Sequence, residues 1–402
     1  MTFAPAPRSD IAAFMVMDVM TQAAACEARG DHVLHLEVGQ PGTPAPRLAR
    51  EAAKQAIDTD VLGYTLVFGI PALRERLARH YQDWYGLNLP VERIAVTTGS
   101  SAGFLLAFLA SFSPGDRVLL TDPSYPCYRN ILAALGCEVV RLPTGPETRY
   151  QMTADMLDSV PNLAGVVIAS PSNPGGTVIA PDQLKAIAEA CHARGIRLIS
   201  DEIYHGLVFE GRADTAARYS PSAIIINSFS KYFSMTGWRI GWMIVPEDLK
   251  SAVERLAQNF FISSPGVSQV AALAALDAEE ELEANKAVYA INRQIMLEGL
   301  PKMGLDKIAP PDGAFYIYAD VSHLTNDSLA FCSRLLDETG VAVASGLDFD
   351  PDRGNHMIRF SYCITQPDVE QALERLSDWL AKQHRLSLSR SAFCFRDYSG
   401  FG

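Results

Sequence analysis

The chain has 402 residues, 48% of them hydrophobic and 20% charged, with a formal net charge of −12. That length allows two or three domains, or one large domain with a satellite, around a core that needs no disulfide or metal staple. The acidic balance excludes a basic nucleic-acid surface, and the longest uncharged apolar stretch, Ala102–Phe112, is too short to span a bilayer.

From the N-terminus, Ile11–Ala25 is apolar, but Asp18 interrupts it and Arg8 is its only basic flank. An amphipathic helix from an Asp10 cap to about Arg29, stopped by Gly30, fits better than a secretory signal. Strands are expected at Ile94–Thr97, Arg117–Thr121, Glu138–Arg141, Gly165–Ala169, Arg197–Ser200, Ala223–Asn227 and Ile240–Val245. Helical stretches lie between them, such as Pro181–Arg194, with proline in its first turn and Gly195 as its stop. This alternation is that of a βαβ array. After about Asp277 come a long charged helix, roughly Glu279–Met303, the strand Ala314–Ala319, the helix Ser328–Glu338, the strand Met357–Ser361 and the helix Asp368–Lys382.

The expected fold is α/β. A large domain over residues 46–285 has a mainly parallel central sheet sandwiched by helices, and residues 1–45 with 286–386 form a smaller α+β domain. Residues 387–402 are a tail whose role is not legible. The seven cysteines, at 26, 127, 137, 191, 332, 363 and 394, form no CxxC pair, and no histidines stand in HExxH spacing. They read as reduced thiols of a cytoplasmic protein with no metal site.

In an open parallel sheet, ligands bind beyond the carboxyl ends of the strands. Four polar clusters stand there: Thr98-Gly99-Ser100-Ser101-Ala102-Gly103, Ser170-Pro171-Ser172-Asn173-Pro174-Gly175-Gly176, Asp201-Glu202-Ile203-Tyr204 and Ser228-Phe229-Ser230-Lys231. The first opens an apolar helix whose leading amides, with the Ser100 and Ser101 hydroxyls, suit a phosphate; a serine-capped core helix that binds nothing is the alternative. Neither a Walker loop nor a GxGxxG is present. Lys231, after an apolar strand, is either a solvated loop lysine or a desolvated amine able to condense with an aldehyde. Arg239 either packs beside Trp238 or holds a phosphate by paired hydrogen bonds. Asp201, ending a buried strand, needs a cationic partner, a salt bridge or a cap to serve. His205 reads as structural rather than as a base.

With these residues assembled, the chain resembles the class I/II aminotransferases of the fold-type I pyridoxal-phosphate enzymes, from about Asp10 to Ala381. The segment Ser228-Phe229-Ser230-Lys231-Tyr232-Phe233-Ser234-Met235-Thr236-Gly237-Trp238-Arg239-Ile240-Gly241 is similar to the family's Schiff-base lysine segment. Ser172-Asn173-Pro174-Gly175-Gly176, Asp201-Glu202-Ile203-Tyr204, Tyr64 with Gly69-Ile70-Pro71, and Met357-Ile358-Arg359-Phe360-Ser361 support it. The resemblance implies pyridoxal 5'-phosphate held on Lys231 as a Schiff base, with Lys231 as the proton shuttle. Asp201 would keep the pyridine nitrogen protonated, Asn173 and Tyr204 would bond the phenolic oxygen, and Tyr125 would stack on the ring. Ser100, Ser101, Ala102, Ser228, Ser230 and Arg239 would hold the phosphate. Arg359, with the Gly39 amide and Asn173, would bind the substrate carboxylate. Tyr64 would reach the cofactor of a partner subunit, so a homodimer is implied.

The implied reaction is transamination between an L-amino acid and a 2-oxo acid, a step of amino-acid metabolism. Neither Ala102–Asp116 nor Leu256–Ala275 contains a lysine or arginine to receive a second carboxylate. That favours a neutral or aromatic donor, with aspartate still open. Gln40-Pro41-Gly42-Thr43-Pro44 and Ala314-Phe315-Tyr316 are expected to border the side-chain pocket, unless Phe315 and Tyr316 merely alternate between core and solvent. A carbon–sulfur lyase is the competing activity, disfavoured by Thr177-Val178 where such relatives carry a tryptophan. An effector-sensing regulator would need a DNA-binding domain for which the segment before Gly39 is too short. A nucleotide-binding enzyme lacks its phosphate loop.

Overall fold

The computed structural model describes residues 3–394. Its strands are β1 (Leu34–His35), β2 (Ile94–Thr97), β3 (Arg117–Asp122), β4 (Glu138–Pro143), β5 (Gly165–Ala169), β6 (Arg197–Asp201), β7 (Ile224–Ser228), β8 (Gly241–Ile244), β9 (Tyr316–Asp320), β10 (Val341–Ala342), β11 (Ala344–Ser345) and β12 (Met357–Ser361). Its helices are α1 (Met15–Ala28), α2 (Arg47–Thr59), α3 (Pro71–Tyr85), α4 (Gly99–Ser111), α5 (Pro126–Ala134), α6 (Pro181–Ala193), α7 (Lys250–Phe260), α8 (Gly266–Ala275), α9 (Glu279–Gly299), α10 (Ser328–Thr339) and α11 (Gln366–Cys394). Among the described residues, no helix is long and apolar enough to cross a membrane.

The chain falls into two compact units. The first takes the segment ending at Phe14, Gln40–Ala287 and Ala309–Ile317; the second takes Met15–Gly39, Val288–Ile308 and the chain from Tyr318 onward. The division differs from the one drawn on sequence in giving the first unit the stretch before Met15, residues 40–45 and 286–287, and the stretch Ala309–Ile317.

The first unit is built on a seven-stranded sheet of order β2-β8-β7-β6-β5-β3-β4. All neighbours are parallel except at β8, which runs antiparallel to both β2 and β7. Strand β2 therefore points the same way as β7, and the carboxyl ends of β2, β5, β6 and β7 share one edge. Uninterrupted apolar runs such as Ile224-Ile225-Ile226 are buried throughout, as a sheet covered on both faces requires. Helix α4 packs against β7 and β8. A Cβ added at Gly103 would come within 3.3 Å of the Ile226 side chain, so the glycine sets the depth of that packing. Helix α6 ends as expected, with Gly195 at φ +67 past its last turn.

The second unit carries a two-stranded parallel pair, β1-β10, and a three-stranded sheet of order β11-β12-β9. The N-terminal helix corrects the sequence-based expectation: it begins at Met15, not near Asp10. The Asp348 carboxylate accepts the Met15 and Val16 amides at 3.3 and 3.0 Å, so a residue far along the chain caps the helix in place of Asp10.

Candidate active site

The sheet's carboxyl edge gathers most of the polar clusters. Ala169 pairs with Asp201, Asp201 with Ile226, and Gly241 with both Ser228 and Thr97. Because β8 reverses, the loop from Phe229 to Ile240 leaves β7 and re-enters the sheet at this same edge, bringing both Lys231 and Arg239 there. Helix α4 starts at Gly99, so Ser100, Ser101 and Ala102 form its first turn, and Thr98 makes no side-chain cap. The leading amides are left as donors carrying the helix's partial positive charge. Arg239 lies over them: a Cβ at Gly99, itself at φ +71, would collide with the Arg239 guanidinium at 2.5 Å. Arg239 Nη1 donates to the Thr236 carbonyl at 3.0 Å. The Ser230 amide donates to Ser228 Oγ at 3.0 Å, and the two hydroxyls are bonded at 2.9 Å.

Asp201 is 3% exposed. Its Oδ1 accepts the Ile203 amide at 3.1 Å and its Oδ2 accepts the Tyr128 hydroxyl. Burial pushes its pKa up to about 6, against these two hydrogen bonds and the charge of nearby Lys231, which pull it down. A cation placed against the carboxylate would restore full ionisation. Tyr204 is buried, its hydroxyl 2.8 Å from that of Tyr316. The Lys231 amine stands 5.8 Å from the Tyr204 ring centre and 5.9 Å from that of Phe315. Asn173 is buried beyond β5. Tyr125 packs edge-on against Phe14 and Tyr128, with centroids 5.8 and 5.5 Å away. Burial first, then Cys127, Tyr316 and Asp201, keep its hydroxyl protonated.

The remaining predicted residues are Tyr64, Gly39 and Arg359. Tyr64 lies in a coil segment of the first unit, 84% exposed. Gly39 and Arg359 belong to the second unit. Arg359, on β12 and 2% exposed, donates from Nη2 to the Glu37 carbonyl and lies over the Phe349 ring at 4.7 Å. Phe315 and Tyr316 do not alternate between core and solvent; both are buried.

These features fit a phosphorylated pyridine. The uncapped α4 turn with Arg239 offers donors for a dianion, and Asp201 is a buried carboxylate short of a cation. Tyr128 was not foreseen. It stands in the first turn of α5, three residues after Tyr125 at that helix's N-cap, and that spacing is the only local signal for it. Tyr316 was foreseen only as a pocket border, and nothing local announced its bond to Tyr204.

Residues 31–376 match the family described as aminotransferase class I and II. The valine–pyruvate aminotransferase of Mycobacterium tuberculosis is 51% identical over 388 residues, covering 95% of this chain and all (100%) of that protein. The crystal structure of an aminotransferase from the same organism superposes with a TM-score of 0.93 at 51% identity, over 95% of this chain and 100% of that one. The aspartate aminotransferase of Thermus thermophilus with maleate gives 0.89 at 31% identity, over 94% and 100%. Members of this family are pyridoxal-phosphate-dependent. The fold, the assembled edge and these similarities agree: the chain belongs to the class I and II aminotransferases, and its reaction is transfer of an amino group between an amino acid and a 2-oxo acid.

Proposed function

We propose that this aminotransferase uses pyridoxal 5'-phosphate on Lys231 and takes a neutral donor, with valine and pyruvate as the first pair to test. The observation that carries the donor class is the lack of lysine and arginine through Ala102–Asp116 and Leu256–Ala275. Identity of 51% to a valine–pyruvate enzyme along nearly the whole chain supports the same choice. Relatives acting on aspartate stand lower, near 30%.

When bound, the cofactor supplies an aldehyde and an electron-accepting ring. The chain's residues do the rest. Ser100, Ser101, the Ala102 amide, Ser228, Ser230 and Arg239 hold the phosphate, and Tyr125 covers one ring face. Asp201 keeps a proton on the ring nitrogen. Asn173 and Tyr204 hold the phenolic oxygen by hydrogen bonds. The Lys231 amine would take the substrate's α-proton and deliver it to the cofactor's aldehyde carbon, on the other side of the nitrogen that joins them. Arg359, with the Gly39 amide and Asn173, supplies the fork for an α-carboxylate. Exposure of Val61, Tyr64, Leu66, Phe260 and Ile262, all apolar or aromatic and all on the first unit, supports a homodimer in which a second copy covers them and receives Tyr64.

The test is the visible spectrum of the cofactor-loaded protein titrated with single amino acids and no oxo acid. Valine or alanine is expected to bleach the band and release one equivalent of oxo acid. Aspartate outrunning every neutral donor would remove the donor assignment. A persistent band with ammonia accumulating would point to a lyase. Lys231→Ala should abolish turnover; retained activity would refute its role.

A further inference from the structure

The Tyr204 hydroxyl has a neighbour that the chemistry above leaves unused. Its Oη lies 2.8 Å from that of Tyr316, and the two residues are 3% and 1% exposed. Their rings meet edge to face at 5.6 Å, and Phe315 closes the group at 5.6 Å from Tyr204 and 5.0 Å from Tyr316. The backbone that delivers Tyr316 is tightly held. The Gly313 amide donates to the Gly176 carbonyl and the Ala314 amide to the Leu207 carbonyl, each at 2.8 Å. Gly176, at φ +71, comes so close that a Cβ there would meet the Gly313 and Tyr316 carbonyls at 2.8 and 3.1 Å. The start of β9 is thus fastened to the segments after β5 and β6, which carry Asn173 and Tyr204.

We infer that Tyr316 is a positioning residue for Tyr204: it donates its hydroxyl proton to Tyr204 Oη and thereby turns the Tyr204 proton toward the cofactor's phenolic oxygen. This rests on the role given to Tyr204 above. A phenol has one proton and two acceptor lone pairs, so a single proton lies between the two oxygens. While the Tyr204 proton serves the ligand, the bridging proton must come from Tyr316. Bonds chained in this direction polarise one another in a low-dielectric site, which strengthens Tyr204 as a donor. A stronger donor favours the anionic form of the phenolic oxygen and shifts the titration of the cofactor's visible band to lower pH.

The experiment is a pH titration of that band in the pyridoxal-phosphate-loaded protein. Tyr316→Phe, which removes one oxygen and keeps the ring, should raise the midpoint by about 0.3–1 pH unit, the reach of one neutral hydrogen bond. Tyr204→Phe should raise it further, and the double variant should match Tyr204→Phe alone. A midpoint unmoved by Tyr316→Phe while Tyr204→Phe shifts it overturns the inference and leaves Tyr204's role standing. So does a double variant equal to the sum of the singles. No shift in Tyr204→Phe removes both. Should Tyr316→Phe fail to fold, 3-fluorotyrosine at position 316, a more acidic donor of nearly the same shape, should lower the midpoint; a rise or no change overturns the inference.

Discussion

Asp201 and Glu202 are consecutive carboxylates, both buried, yet they face different surroundings. Asp201 looks onto the carboxyl edge of the sheet, where the Tyr128 hydroxyl, the Ile203 amide and the charge of Lys231 partly offset burial and leave it at about 6. Glu202 meets the Ser200 hydroxyl at 3.0 Å and the Ala216 amide at 2.9 Å, with His205 Nδ1 3.6 Å from its other oxygen. Burial pushes Glu202 up to about 8 against those bonds and pushes His205 down to about 4, so both are neutral at pH 7. His205 in turn meets the Tyr85 hydroxyl at 2.6 Å. One acid is held ready for a cation, and its neighbour is a neutral clamp between β6 and the segment at Thr215–Ala216. Burial alone does not separate a reactive carboxylate from a structural one; the partners do.

Four variants would break or sharpen that distinction. Asp201→Asn should lower kcat by roughly 10²–10⁴-fold, while the cofactor-free protein unfolds no more easily, because a costly buried charge is exchanged for an amide of like shape. Retained turnover would place Asp201 with its neighbour as a structural acid. Glu202→Ala should do the reverse: a loss of roughly 2–4 kcal/mol in urea unfolding, with kcat per folded molecule changed only a few-fold. A large kcat loss there would erase the difference between the two acids.

The pH dependence sharpens it further. The folded state raises Glu202 from 4.5 to about 8, so its proton is held more tightly when folded. Its stabilisation is complete below pH 4.5 and is lost as pH rises through 8. Glu202→Gln should therefore flatten the decline in unfolding free energy of the cofactor-free protein between about pH 5 and 9. An unchanged slope would mean that Glu202 is ionised in the fold. The smallest effect is expected from Tyr85→Phe, which removes the hydroxyl facing His205: about 1 kcal/mol of stability and no movement of the visible band.

Much of this edge was legible because strands and motifs are local. Ile94–Thr97 and Gly165–Ala169 carry apolar runs between clear breakers, and the observed strands have those limits. Lys231 and Arg239 stand eight positions apart on one loop, so a linear motif contains them both. What was not legible is contact between distant residues. Tyr128 reaches Asp201 across 73 positions, Tyr316 reaches Tyr204 across 112, and Asp348 caps α1 across 332. Periodicity reports which face of an element is buried, not which hydroxyl meets which carboxylate. The two-residue strands β1, β10 and β11 are too short to show any period.

The reversed strand β8 has a consequence for how this enzyme can vary. Ser228 and Gly241 are paired in register, so residues 229–240 form a closed hairpin connection bearing both Lys231 and Arg239. An insertion or deletion within it would displace one of these side chains relative to the other, or slip β8 and turn its side chains to the opposite face of the sheet. The segment is therefore best treated as a fixed-length cassette: open to substitution between its two anchors, closed to any change of length, and transferable between related scaffolds only whole.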